Sequence, residues 1–141
     1  MEKLITTLVA VLSIGGCSEK PDPMSERKPL PIIVQPMTAD AMIVVAIEDF
    51  QSHQPPTPVD FRNVRFGLMP KDEQQNRALL CGEFLVFDGK DKREWTAFAT
   101  IQTEGYEQWL GGAAFGICQQ SNIKWQGDAD YSAALKKKLP F

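Results

Sequence analysis

The sequence predicts an α+β domain, in which one N-terminal helix packs on a small antiparallel sheet of about four strands. A signal peptide and a proline-rich tether precede this domain. Two observations carry the prediction. Apolar residues recur at helical spacing over residues 38–50, and from residue 61 onward the period changes to two, with one run, residues 78–87, that is apolar on both faces as in a central strand. With 141 residues, 43% of them hydrophobic, the chain has the length and composition of a single globular domain.

Residues 1–16 have the pattern of a secretory signal peptide. Lys3 lies in a short charged start, and residues 4–14 form an apolar stretch that is too short to span a bilayer. The segment that follows resembles the lipobox of bacterial lipoproteins: Ile14-Gly15-Gly16-Cys17. In that class the cysteine thiol receives a diacylglycerol, the chain is cut before the cysteine, and the new amine receives a further acyl chain such as palmitate.

The resemblance implies a protein lipidated at Cys17 and held in the cell envelope by its acyl chains. Ser18, where an aspartate would imply retention in the inner membrane, implies the outer membrane and a domain facing the periplasm. Two alternatives stay open at this point. Residues 1–16 could be an ordinary signal peptide or a buried strand, and Cys17 would then be incidental.

Residues 17–36 are predicted to be an extended tether, because five of the ten prolines of the chain fall within them. Near its end, residues 32–34 are apolar enough to dock on the domain as an edge strand. Residues 37–141 then form a single domain without internal repeats.

The domain begins with a helix over residues 38–50, with Thr38 as its N-cap. The β-branched residues 43–45 favour a strand instead, but thirteen residues are long for one. Strands follow at residues 61–68, 78–87, 95–101 and 112–119, with a hairpin connection at 103–109 and a short closing helix at 130–139.

Cys81 and Cys118 are predicted to form a disulfide, because an exported chain with two remaining cysteines most simply pairs them. Two separate buried thiols are the alternative. In a simple meander these cysteines lie on the second and fourth strands, which are not neighbours. The disulfide therefore requires a non-sequential strand order or a sheet that curls.

Phe61-Arg62-Asn63-Val64 and Cys81-Gly82-Glu83 together resemble a group of small exported bacterial proteins of unknown function. The resemblance implies export and a compact α+β fold, and it carries over no catalytic residue. The residues themselves predict a cross-strand pair between Arg62 and Glu83 and a close approach of another chain segment at Gly82.

The sequence offers few residues in arrangements typical of catalysis, metal binding or nucleic-acid binding. The net charge of −3 argues against a nucleic-acid partner, and a single histidine with three cysteines leaves few ligands for a metal site. His53 is predicted to be a surface residue, and carboxylates such as Glu83, Glu94 and Glu104 are what any acidic protein offers. We therefore predict no catalytic residues, no metal and no cofactor.

Tyr106 and Trp109 are the candidate partner-binding residues, since amphipathic aromatic side chains on a glycine-flanked connection are typical anchors for a partner. Alternatively, they fold back over the sheet. The predicted function is that of a membrane-anchored, non-catalytic envelope lipoprotein that binds an envelope protein partner. An inhibitor or immunity protein and a small periplasmic hydrolase are the alternatives.

Overall fold

The computed structural model describes residues 35–53, 58–87 and 93–140. The fold is α+β, as predicted, with a helix N-terminal to an open antiparallel sheet and two further short helices. Residues 1–16, Cys17 and the tether up to residue 34 lie outside the described residues.

The elements follow in chain order as α1 (Ala39–His53), β1 (Asp60–Pro70), β2 (Asn76–Phe87), β3 (Arg93–Gln102), β4 (Tyr106–Leu110), α2 (Gly111–Cys118), β5 (Lys124–Trp125) and α3 (Ser132–Lys137). The strands are arranged β4-β3-β2-β1-β5, and all neighbouring pairs are antiparallel. The predicted N-terminal helix is confirmed, and Thr38 Oγ1 accepts a hydrogen bond from the N–H of Ala41 at 3.3 Å.

The predictions for residues 103–119 are wrong in two respects. The strand predicted at residues 112–119 is helix α2, and the predicted hairpin connection contains strand β4. Short apolar runs of small residues fit a strand and a buried helix equally well, so periodicity could not separate them. Gly111 adopts a φ of 64°, and there the chain turns from edge strand β4 into α2.

The sheet buries apolar side chains on both faces. The first face carries α1 and α3, and its core contains four tightly packed rings: Phe50, Phe61, Phe84 and Phe98. The second face carries α2 over a smaller core that includes Leu79, Ala99, Ile101 and Ala114.

Cys81 on β2 and Cys118 at the end of α2 form a disulfide, with their Cα atoms 6.1 Å apart. The strand order is sequential from β1 to β4 and needs no rearrangement. The expected conflict between the disulfide and a simple meander disappears because Cys118 lies on a helix that packs on the second face. The bond therefore links α2 to the centre of the sheet.

Gln102 connects the start of the described chain to the sheet. Its Oε1 accepts hydrogen bonds from the N–H groups of Met37 at 2.8 Å and Ala78 at 3.1 Å, and its Nε2 donates to the Gln35 carbonyl at 3.2 Å. The side chain is buried, so these bonds satisfy polar atoms that water cannot reach. Residues 35–37 are thereby fixed at the end of β3.

Candidate binding face

All three tryptophans of the chain lie on the second face of the sheet. Trp109 on β4 is paired directly with Ala99 on β3. Trp95 is separated from Ala97 and Ala99 by even numbers of residues on β3, so its side chain is on the same face as these members of the second-face core. Trp125 on β5 packs against the same core. We call this surface, with Phe115 of α2, the tryptophan face.

Two rings of the tryptophan face are exposed to solvent. Trp109 keeps 43% of its surface accessible and Phe115 keeps 60%. Phe115 belongs to α2, in which only Ala114 is fully buried. Large apolar side chains that share an exposed face mark interaction sites more often than isolated ones do.

A groove of about 270 Å³ opens on the tryptophan face between α2 and strands β1, β2 and β5. Its side walls are formed by Asn63, Arg65, Glu83, Phe115, Gln119 and Trp125, and the Cys81–Cys118 disulfide also lines it. We call it the Arg65 groove. It combines two aromatic rings with amide, guanidinium and carboxylate groups.

Glu83 is held in place by two neighbours on β1. Arg62 Nε and Nη2 donate to its two carboxylate oxygens at 2.8 and 3.1 Å, and Asn63 Nδ2 donates at 3.0 Å. The hydrogen bond from Arg62 lowers the pKa of Glu83 against the opposing effect of burial, and Asn63 lowers that pKa further. The predicted cross-strand pair of Arg62 and Glu83 is confirmed, and Glu83 is a poor proton donor near neutral pH.

The two sequence motifs form one structural unit. Strand β1 carries a bulge between Arg62 and Arg65, and Asn63 in this bulge has a φ of 54°. Asparagine tolerates this left-handed conformation better than most residues. A Cβ atom on Gly82 would lie 2.7 Å from Val64 Cγ2 and 2.9 Å from Phe98 Cε1, so the predicted close approach at Gly82 is confirmed.

Asp130 fastens the bulge to the segment before α3. Its Oδ1 accepts hydrogen bonds from the N–H of Val64 at 3.2 Å and from the N–H of Ser132 at 2.9 Å, and the Ser132 hydroxyl also donates to it. Burial opposes ionisation of this carboxylate, but the bonds from Ser132 and Val64 outweigh burial and lower the pKa of Asp130. The bulge is therefore held by two carboxylates, Glu83 through Asn63 and Asp130 through Val64.

The guanidinium carbon of Arg65 lies over Trp125, 4.4 Å from the ring centroid. Within residues 35–53, 58–87 and 93–140, this guanidinium has no hydrogen-bond acceptor and no carboxylate partner. Trp125 can approach β1 because Gly67 has no side chain: a Cβ atom there would lie 2.9 Å from Trp125 Cε3. The guanidinium edge of Arg65 is thus oriented but unpaired.

The structure separates the two predicted partner-binding residues. Tyr106 and Trp109 both lie on β4 instead of a connecting loop, and their odd spacing places them on opposite faces of the sheet. Tyr106 is half-buried on the first face, where burial and the hydrogen-bonded carboxylate of Asp49 raise the pKa of Tyr106. Only Trp109 belongs to the tryptophan face.

The remaining candidate groups are scattered. His53 is the exposed last residue of α1, with Nδ1 3.3 Å from Asp49 Oδ1. Glu83 is the one carboxylate that lines the Arg65 groove among the residues that the structure describes. In the same part of the chain, no three His, Cys, Asp or Glu side chains are grouped to hold a metal ion.

No described helix is both long and apolar enough to cross a membrane.

Reasoning from the sequence missed Arg65, Phe115 and Trp125. Phe115 falls within the strand predicted at residues 112–119, and the alternating strand predicted at residues 61–68 gives Arg65 only as a side chain of its polar face. Their proximity depends on the pairing of β1 with β5 and on the placement of α2, which no local pattern specifies.

Comparisons with known proteins add no relatives. No family model matches the chain, and neither a curated protein nor a solved structure matches it significantly.

Proposed function

We propose that this protein is a non-catalytic envelope lipoprotein, anchored through Cys17, whose tryptophan face binds another envelope protein. One observation carries the binding role: all three tryptophans and the exposed Phe115 share one face of the sheet, while the buried phenylalanine cluster occupies the other. Tryptophan and arginine are the residues that most often dominate the energy of protein interfaces.

The proposed location is the periplasmic side of the outer membrane. The lipobox-like segment that ends at Cys17, followed by Ser18, supports it. The Cys81–Cys118 disulfide is consistent with an exported domain, because disulfides persist in oxidising compartments. Labelling with radioactive palmitate tests the anchor: the wild-type protein should be labelled, and Cys17→Ala should lose the label. An unlabelled wild-type protein, or labelling that survives in the variant, contradicts the anchor.

Binding is favoured over hydrolysis by the state of Glu83. A two-carboxylate hydrolase needs a second acid near the first, with one of the two protonated. Glu83 is the one carboxylate among the described residues that line the groove, and hydrogen bonds from Arg62 and Asn63 favour its ionised form.

Site-specific photo-crosslinking tests the proposed binding face. A benzophenone amino acid is placed at position 109 or 115 of the full-length protein, expressed in its own cells. Position 44 is the matched control, because Val44 on α1 is 41% exposed against 43% for Trp109 but lies on the first-face side of the sheet. Discrete adducts from positions 109 and 115, with none from 44, are expected. Adducts of equal yield from all three positions, or from none, would overturn the proposed face.

A further inference from the structure

We propose that the Arg65 groove accepts a carboxylate side chain of the partner protein, next to an apolar side chain that packs between Phe115 and Trp125. This inference rests on the proposed function and specifies the chemistry of the partner.

Arg62 and Arg65 have similar aromatic contacts but different polar ones. Their guanidinium carbons lie 4.3 Å from the Trp95 centroid and 4.4 Å from the Trp125 centroid. Arg62 also makes two hydrogen bonds to Glu83, whereas Arg65 has no polar partner in the part of the chain that the structure describes. Stacking leaves the edge of a guanidinium free, and that edge matches a carboxylate in a bidentate geometry.

The charges in and beside the groove favour an anion. Arg65 and Glu83 line the groove with opposite charges, and Arg62, which pairs with Glu83 from outside the lining, brings this cluster of three to a net charge of +1 in a chain whose net charge is −3. Glu83 is already neutralised by Arg62 at 2.8 Å. An incoming carboxylate therefore meets one unpaired cation in a partly apolar setting, where a charge-assisted hydrogen bond is stronger than in open water.

The groove is also preorganised. The Cys81–Cys118 disulfide fixes the helix that carries Phe115 to β2, and Trp125 is seated on Gly67. Rigid binding surfaces lose less conformational entropy when a partner binds. The exposed ring of Phe115 supplies the apolar contact beside the cation.

A protein carboxylate fits this site better than a membrane surface. Binding to anionic lipid requires several basic residues close together, each contributing about 1 kcal/mol. The lysine run Lys136-Lys137-Lys138 is at α3, which packs against the first face, and Arg65 is the one unpaired cation of the groove among the described residues.

A charge-swap experiment on the crosslinked complex tests the inference. The benzophenone is kept at position 115, and Arg65→Glu is compared with Lys124→Glu. The control makes the same charge change at an exposed neighbour of Trp125, whose side chain points to the other face of β5. Arg65→Glu should lower the adduct yield at least tenfold, and Lys124→Glu should leave it unchanged.

Mass spectrometry of the wild-type adduct then identifies the partner segment. It should contain an Asp or Glu, and replacing that residue with Lys should restore the adduct of Arg65→Glu. An adduct that survives Arg65→Glu, that maps to a segment without a carboxylate, or that joins a glycan, a lipid or a second copy of this chain overturns the carboxylate inference. The first two outcomes leave a protein bound at the face, whereas an adduct to a glycan or a lipid, or the absence of any wild-type adduct at 109 and 115, contradicts the proposed function itself.

Discussion

Arg62 and Glu83 face each other across β1 and β2 at the point where β1 bulges, joined by hydrogen bonds of 2.8 and 3.1 Å. The same carboxylate accepts a bond from Asn63, the residue of the bulge with positive φ. Two motifs separated by about twenty residues thus form a single structural unit, which positions the wall of the Arg65 groove that Asn63 and Glu83 form. Stability, acid sensitivity and binding should all depend on the elements that meet there.

Acid should weaken the fold through Glu83 and Asp130. Both carboxyls have pKa values lowered in the folded state from usual values of 4.5 and 3.8, so their stabilising contribution is complete above those values and is lost as pH falls through the lower folded pKa. Urea unfolding between pH 7 and pH 2 should show this loss. Glu83→Gln and Asp130→Asn should each flatten the acid side of the curve, whereas Glu107→Gln, at an exposed position of β4, should not.

Gly82→Ala should destabilise the domain by about 1–3 kcal/mol, because the added methyl group would overpack the first-face core. Its Cβ would lie 2.7 Å from Val64 and 2.9 Å from Phe98. Gly116→Ala is the matched control: nothing lies within 4 Å of a Cβ there, and alanine is the better helix former. Urea midpoints of the two variants should shift in opposite directions, and equal shifts would exclude overpacking as the cause.

Removing the disulfide should cost roughly 3.9 kcal/mol, the chain-entropy value for the loop of residues 81–118. Helix α2 should lose the most order, since three of its eight residues are glycine and only Ala114 is fully buried. We expect Cys81→Ala/Cys118→Ala to expose the α2 amides to hydrogen exchange while the amides of β2 and β3 remain protected. Uniform loss of protection across the sheet would show that the bond supports the whole fold.

Phe50 and Phe115 should separate folding from binding. Phe50 is fully buried and contacts three other rings, so Phe50→Ala should cost about 3–5 kcal/mol of unfolding free energy. Phe115 is 60% exposed, and Phe115→Ala should change stability by only about 0.5 kcal/mol. The second variant should nonetheless lose the photo-crosslink from position 109. A folded Phe115→Ala protein that keeps the full crosslink yield would remove Phe115 from the binding face.

Local pattern was sufficient for several parts of the molecule. The helical spacing of apolar residues predicted α1, and the period of two predicted β1 and β3, because both periods are imposed by backbone geometry within a few residues. A run that is apolar on both faces predicted β2 as a central strand. The Cys81–Cys118 bond followed from the number of cysteines and the expected export. The pair of Arg62 with Glu83 followed from residue types on neighbouring strands.

The tertiary structure alone decided where the binding surface lies. Whether residues 112–119 form a strand or a helix, and which face then holds Phe115, depends on packing against a sheet whose other strands come from distant segments. The gathering of Trp95, Trp109 and Trp125 on one face depends on strand register, because a shift of one residue would move a side chain to the other face. Among the residues that the structure describes, the Arg65 guanidinium is unpaired for the same reason: its neighbours are set by β5 and α2, which approach it only in the folded chain.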